Sequence, residues 1–214
     1  MISAFFHRHE TTQIPNEILS MFAIAAKTVA SCPKGRLPRE LQVVVHDISA
    51  YTPTHLFAVY ATPSALHKQR LALHPSHALI LAANCANLPP LPYSRPAPSS
   101  FPGSVVTLPV VPLCIPSPDT FPILLDYLYT RRGSRLLGSL LPLSPRAEIQ
   151  SPVQLSRELA EMVMVPTLRT HLHQVHGLWS NVTALGVFDE DLWRSIELAW
   201  DVLHKALASS SGSR

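Results

Sequence analysis

Apolar residues recur at helical spacing through much of the chain. The clearest case begins at Phe121, where apolar residues follow at i+3, i+4 and i+7. This spacing predicts a helix over residues 117–129. Pro122 falls in its first turn, where a missing N–H costs little. The two arginines that follow would meet the negative end of the helix, and Gly133 would cap it.

A wider apolar stripe predicts the last helix, over residues 190–207. Its members are Leu192, Trp193, Ile196, Ala199, Trp200, Leu203 and Leu207. Two pairs with i,i+4 spacing, Glu190–Arg194 and Asp201–Lys205, would form ion pairs on the other side. We expect the tail, residues 209–214, to be flexible.

Weaker patterns complete the prediction of secondary structure. Further helices are expected at 15–31, 64–73, 77–85, 135–141, 155–165 and 167–179. Pro166 would kink or end the helix before it. Strands are expected at 41–46 and 55–61, which are rich in β-branched and aromatic residues. The apolar stretch 105–115 is interrupted by Pro109 and Pro112, which predicts an edge strand or two short strands.

Proline is unusually frequent, with 21 residues against 7 glycines. This argues against a long coiled coil or a large regular sheet. Residues 88–104, LPPLPYSRPAPSSFPGS, predict a long loop with polyproline character. Its PPLP core could dock a WW-type domain. An ordinary insertion loop is the preferred interpretation.

Composition and charge exclude several function classes. The 214 residues carry 17 basic and 14 acidic side chains, a formal net charge of +3. This excess is too small to predict direct nucleic-acid binding. No apolar run is long enough to predict a membrane span. Three widely spaced cysteines without a C-x-x-C pair favour a reduced, intracellular setting.

Signatures of catalysis are missing from the sequence, which lacks G-x-S-x-G, a Walker A loop, G-x-G-x-x-G and H-E-x-x-H. The most tempting metal cluster is His171, His173 and His176, because imidazole is a common zinc ligand. Only His173 and His176 would share a helix face, so a solvated polar face is preferred over a zinc-dependent or hydrolytic enzyme. We expect no enzyme, no cofactor and no catalytic or metal-binding residue. The partner-binding residues stay unknown.

Two stretches resemble BTB/POZ domains. Residues 113–130, LCIPSPDTFPILLDYLYT, resemble the core motif of a short strand, a polar turn, a phenylalanine, an apolar helix face and Tyr-x-Tyr-Thr. Upstream, His67, Lys68 and Leu71 are in register with the family's strand–turn–strand followed by a-H-[KR]-x-x-L-a. The resemblance implies a small sheet of short strands packed with helices.

The chain departs from BTB transcription factors at a pocket. Those proteins carry an acidic residue that pairs with the basic residue after the motif histidine. Here Thr54 stands at the acidic position, while Lys68 is kept. The charged pocket that recruits corepressors is therefore expected to be incomplete. No zinc-finger array or kelch repeat follows the core.

The chain as a whole resembles the clampless-type proteins of basidiomycete fungi. The residues that carry this resemblance are VVTLPVVPLCIPSPDTFPILLDYLYTRR at 105–132 and HLHQVHGLWSNVTALGVFDEDLWRSIELAWDVL at 171–203. The resemblance implies a regulator of clamp-cell formation and dikaryotic growth, acting downstream of mating-type homeodomain factors. It also implies a nuclear protein that works through contacts with other proteins, transcription regulators among them.

These observations predict an α+β fold in three parts. They are an N-terminal helical segment at 1–35, a BTB/POZ-like core at 36–135 with the Pro-rich insertion at 88–104, and a C-terminal helical extension at 136–214. The predicted function is a non-enzymatic protein–protein interaction module in fungal sexual development. A homodimer through the 15–31 helix is plausible, and packing of that helix within the monomer is equally open. The alternative is a BTB-type adaptor of a cullin ubiquitin ligase, whose helices after residue 150 contact the cullin.

Overall fold

Four strands form a mixed sheet in the first half of the chain. The computed structural model describes residues 37–45, 52–61, 71–96, 104–143 and 151–212. The strands are β1 (Glu40–Val45), β2 (His55–Tyr60), β3 (Leu71–Ser76) and β4 (Ser104–Cys114). Their order in the sheet is β1-β4-β2-β3. Strands β2 and β4 are parallel, and the other neighbours are antiparallel. The predicted strands at 41–46 and 55–61 are confirmed.

Strand β2 is the most buried strand because both of its faces meet apolar side chains. Phe57 and Val59 belong to the large core cluster that the sheet shares with the helices. Leu56 and Ala58, which point to the opposite face, join a smaller cluster with Val110 and other side chains of β4. The alternation follows the period of two along a strand. The sheet therefore contributes to both clusters.

Strand β4 corrects the expectation of an edge strand or two short ones. It is one strand of 11 residues inside the sheet. Its first half pairs with β1 as far as Pro109, and its second half pairs with β2 from Val110 onward. Pro109 lies at the end of the ladder with β1, where a missing N–H costs little, whereas Pro112 lies opposite Ala58 within the ladder with β2.

Strand β3 corrects the end of the predicted helix at 64–73. Leu71–Ser76 is an edge strand that pairs with β2, and Pro75 lies opposite Leu56. Proline is tolerated here because an edge strand can spare an N–H donor. Residues 64–70 lie outside the described part of the chain.

Six helices are described besides the sheet. They are α1 (Ala78–Asn84), α2 (Phe121–Thr130), α3 (Gly133–Leu140), α4 (Pro152–Met162), α5 (Val165–Leu185) and α6 (Glu190–Gly212). A 3-10 turn, Pro118–Thr120, leads into α2. The helices predicted at 77–85, 117–129, 135–141 and 190–207 are confirmed. The helix predicted at 15–31 falls outside the described residues.

Several helix boundaries differ from the prediction. The helices predicted at 155–165 and 167–179 lie at 152–162 and 165–185. Arg131 adopts a left-handed conformation with φ of 54° and ends α2. Gly133 instead begins α3, so it is not the cap. Pro166 lies in the first turn of α5 and does not interrupt the helix before it. An N–H in the first turn of a helix has no partner within the helix, so proline is favoured at this position.

The C-terminal end is more ordered than predicted. Helix α6 continues to Gly212, so residues 209–212 are helical. The Ser210 hydroxyl lies 3.2 Å from the Ala160 carbonyl of α4 and 2.9 Å from the Ala206 carbonyl of its own helix. The last turn of α6 is therefore in contact with α4.

The predicted ridge on α2 is buried as expected. Its side chains, Phe121, Leu124, Leu125 and Leu128, are at most 3% exposed. They share one core cluster with Leu192, Ile196 and Leu203 of α6. The α+β class is confirmed, with a small sheet and a helical C-terminal half. The boundaries of the three predicted parts stay a prediction.

A glycine sets how closely α5 approaches the 3-10 turn. A Cβ at Gly177 would stand 2.5 Å from Ser117 Oγ and 3.1 Å from Thr120 Cγ2. We expect Gly177→Ala to lower the free energy of unfolding by about 1–3 kcal/mol, because both helix and turn must shift. Urea unfolding followed by circular dichroism measures it.

The matched control is Gly138→Ala on α3. No heavy atom lies within 4 Å of a Cβ at Gly138. The substitution should raise stability by roughly 0.5–1 kcal/mol through helix propensity alone. A Gly177→Ala variant as stable as the parent chain would contradict this close approach.

Candidate protein-interaction site

A carboxylate joins the two halves of the chain. Asp189 directly precedes α6, and its Oδ1 accepts hydrogen bonds from the Tyr127 hydroxyl at 2.8 Å and the Leu192 N–H at 2.9 Å. The second bond caps the helix. Burial, helped by the neighbouring carboxylate, raises the pKa of Tyr127 above its usual value. The hydroxyl therefore stays a donor, and α2 is tied to the start of α6.

Further contacts extend this junction to α1. The Arg131 guanidinium bonds to Asp189 Oδ2 and to Asn84 Oδ1. Just beyond α1, the Ala86 N–H donates to the Gly186 carbonyl at 3.1 Å and the Asn87 N–H donates to the Leu185 carbonyl at 3.0 Å. The turn between α5 and α6 is thus held against the sheet half by side-chain and backbone bonds.

Asn181 forms a second attachment, deep in α5. It is fully buried. Its Oδ1 accepts from the Ser117 N–H at 2.9 Å, and its Nδ2 donates to the Ser117 carbonyl at 2.6 Å and to Thr120 Oγ1 at 2.9 Å. Three satisfied bonds make a buried amide stabilising, and they set the register of α5.

An aromatic groove lies on the outer surface of the paired helices α5 and α6. Its volume is about 390 Å³. The buried side chains of Val175 and Ile196 line it together with Trp179 and Trp200. The two indoles are 46% and 40% exposed, respectively. Large aromatic side chains left this open are unusual enough to mark a candidate binding surface.

Four rings form a row across the groove. His176 stands between the indoles, with ring centroids 5.9 Å from Trp179 and 6.4 Å from Trp200. His204 stacks on Trp200 at 6.4 Å, with an angle of 23° between the ring planes. Glu197 adds a carboxylate to the lining. We name this set, from Trp179 to His204 with Glu197, the ring groove.

A larger cavity lies where the α4–α5 turn meets the end of α6. Its volume is about 580 Å³, and its lining includes Arg157, Glu161, Met164 and Ser209. The lining places no aromatic anchor in the cavity. The ring groove is therefore the better candidate for recognition of another protein.

Two models of known protein domains match most of the chain. The model of the Clampless protein 1 N-terminal domain matches residues 2–116, and that of the Clampless protein 1 C-terminal domain matches residues 134–214. The chain belongs to the clampless protein family. Membership indicates a role in clamp formation during fungal development.

No curated protein and no solved structure matches the chain. The family resemblance seen in the sequence is confirmed, while the BTB/POZ-like core has no structural relative to support it. Residues 117–133, between the two family matches, contain α2 and Arg131, which help to form the junction.

The three histidines of the candidate metal site, His171, His173 and His176, have separate environments in the structure. The His171 Nδ1–H donates to the Leu140 carbonyl at 2.9 Å. His173 is exposed, and His176 belongs to the ring groove. Within the described ranges, no three His, Cys, Asp or Glu side chains are placed to hold a metal ion.

Thr54, at the position of the expected acidic residue, has a structural environment. Its hydroxyl oxygen accepts from the Ala78 N–H at 2.9 Å and lies 2.9 Å from His55 Nδ1. The Thr54 hydroxyl therefore binds the first N–H of α1. Lys68 lies outside the described residues, so the predicted incomplete pocket stays a prediction.

Buried titratable groups serve the core. Burial raises the pKa of the Cys85 thiol to about 11, against a smaller opposing effect of Arg131. Burial also raises the pKa of Tyr129 to about 12. The Tyr129 Oη accepts from the His77 N–H at 2.8 Å. The raised pKa values keep both groups neutral at physiological pH.

The helices of the described ranges include none with the length and apolar character needed to cross a bilayer.

The ring groove was missed in the sequence because its helices were predicted separately. Trp200 fits the apolar stripe of α6, which predicted burial. Trp193 and Trp200 are seven residues apart and share one side of the helix, so spacing alone does not show which of the two is covered. Trp193 is half-buried, and its Nε1–H donates to the Val187 carbonyl at 3.1 Å.

His74 gives the fold a testable dependence on pH. Burial lowers the pKa of His74 from 6.5 to about 4. Its Nε2 is buried without a hydrogen-bond partner among the described residues, and its ring meets Phe121 edge-on at 5.3 Å. The unfolded chain takes up this proton more readily than the folded chain. Stability should therefore be complete above about pH 6.5 and fall towards pH 4, by at most about 3 kcal/mol.

The measurement is urea unfolding of the parent chain and His74→Leu at several pH values between 7.5 and 4.5. The difference between the two curves isolates this group from the other titrating residues. The difference should grow in favour of the variant as the pH falls. Parallel curves would contradict the assignment.

Proposed function

We propose that this chain is a non-enzymatic protein–protein interaction protein that regulates fungal sexual development. In this proposal it controls clamp-cell formation and dikaryotic growth, downstream of mating-type homeodomain factors. Family membership supports the developmental role. The ring groove is the observation that carries the interaction function, because it exposes two indoles on otherwise well-packed helices.

The chemistry of the groove favours a partner of defined kind. Tryptophan side chains in a concave apolar surface are typical of binding hot spots. The buried floor at Val175 and Ile196 suits aliphatic side chains, and Glu197 suits a basic residue at the edge. An amphipathic partner helix with an aliphatic row and one basic side chain has this pattern.

Nuclear action and contact with transcription regulators are part of the same proposal. So is a BTB/POZ-like core, which the buried ridge of α2 and the small sheet support. Leu71, the last residue of the upstream motif named above, begins strand β3 and not part of the helix predicted at 64–73. Homodimer formation through the 15–31 segment also stays a proposal.

The decisive experiment is complementation in a basidiomycete strain that lacks its own copy of this protein. The parent chain and a Trp179→Ala/Trp200→Ala double variant are expressed at equal levels, and clamp cells are counted. We expect the double variant to fail, because loss of two aromatic anchors typically weakens binding by tenfold or more.

The matched control is Phe188→Ala, which removes an aromatic side chain that is 88% exposed and outside the groove. It should restore clamp cells as the parent does. Affinity purification with mass spectrometry then names the companions that depend on the groove. Full complementation by the double variant would refute the groove as the functional surface. If the protein that depends on the groove is a cullin, the proposed regulatory function is wrong and the chain is a ubiquitin ligase adaptor.

A further inference from the structure

The sequence of the Pro-rich segment restricts its backbone conformation. Residues 88–96 read Leu-Pro-Pro-Leu-Pro-Tyr-Ser-Arg-Pro. Proline locks its own φ and moves the preceding residue away from the helical region. No residue of 88–96 is in a helix or strand. These constraints favour a polyproline II helix, which has three residues per turn and no internal hydrogen bonds.

Three inward side chains of the segment are spaced three residues apart. Leu88 and Leu91 pack against the large core cluster. Three residues on, the Ser94 hydroxyl donates to the Thr54 carbonyl at 2.6 Å. These positions are i, i+3 and i+6, which form one edge of a polyproline II helix. That edge holds the segment against the domain.

A histidine adds a further anchor. The His55 Nε2–H donates to the Pro92 carbonyl at 2.8 Å. His55 itself is buried at the start of β2. The segment is therefore fixed to the sheet through its backbone as well as through its inward side chains, and it would lose little conformational entropy on binding a partner.

The other two edges are more exposed, although Pro89 and Pro96 on them are half-buried. One carries Pro90 and Tyr93, and the other carries Pro92 and Arg95; all four are exposed. Tyr93 is 87% exposed. Domains that bind polyproline helices grip the ligand between aromatic side chains, and a docked segment with two free edges offers the surface that they need.

We propose that residues 88–96 are a preformed polyproline ligand for a WW-type domain of a partner protein. Prolines on both free edges and the adjoining tyrosine supply the apolar contacts. Arg95 favours a groove flanked by carboxylates, with which guanidinium forms paired hydrogen bonds. The inward Leu91 packs on the core, so the partner reads the proline and tyrosine edges rather than the leucine.

The test uses the full chain, labelled and applied to an array of the WW and SH3 domains encoded by a basidiomycete genome. Positive domains are then titrated against the chain in solution. We expect binding to one or more WW domains. A Pro90→Ala/Tyr93→Ala double variant should bind at least about tenfold more weakly, since it removes two contact residues.

Leu79→Ala is the matched control. Leu79 is an exposed apolar residue of α1, 77% accessible, and it lies outside the segment. This variant should bind as the parent does, and thermal unfolding verifies that both variants fold. Absence of any WW binding, binding to SH3 domains alone, or full binding by the double variant overturns the proposal.

The ring groove separates this result from the proposed function. A chain with Trp179→Ala/Trp200→Ala should keep its WW binding, because the two surfaces share no residue. If no WW domain binds, the complementation result for the ring groove is unaffected. If the groove variant restores clamp cells, the WW binding result is likewise unaffected.

Discussion

The position of Asp189 is the constraint on which the rest of the structure depends. One carboxylate caps α6, accepts the Tyr127 hydroxyl and pairs with Arg131. The Asp189 side chain is 19% exposed and the Arg131 side chain 41%, so solvent screens the ion pair more than the hydrogen bond to the buried Tyr127. Together with the buried amide of Asn181, the Asp189 carboxylate fixes the helical half on the sheet half in one arrangement. Without it, the apolar ridges of α2 and α6 could still associate, but in less defined registers.

This arrangement explains why the exposed aromatic residues are where they are. Helix α6 buries Leu192, Ile196 and Leu203 against the core. With its rotation set by the junction, Trp200 must turn outward, where it meets His176 of α5. The Pro-rich segment is held from the other half, through His55 and Thr54. The two proposed recognition surfaces are therefore both attached to the packed core of the fold.

Much of the local structure could be predicted from the sequence. The ridge of α2 and the stripe of α6 follow from spacing, since each helix buries one face. The effect of proline was harder to predict, because it depends on the position of the residue in a sheet or a helix. Pro75 lies in an edge strand, and Pro166 lies in the first turn of a helix. Pro109 lies where β4 changes its strand partner. The ring groove and the junction depend on contacts between residues more than 20 positions apart, which spacing along one element does not reveal.

A double-mutant cycle on Tyr127→Phe and Asp189→Ala tests the central claim most directly. Urea unfolding of the parent, both single variants and the double variant gives the coupling energy, and the loss of the helix cap cancels because it occurs on both sides of the cycle. A hydrogen bond to a partly buried carboxylate predicts a coupling of at least about 1 kcal/mol and a single transition for the whole chain. Additive effects within about 0.3 kcal/mol, or two separate transitions, would contradict a junction that joins the two halves.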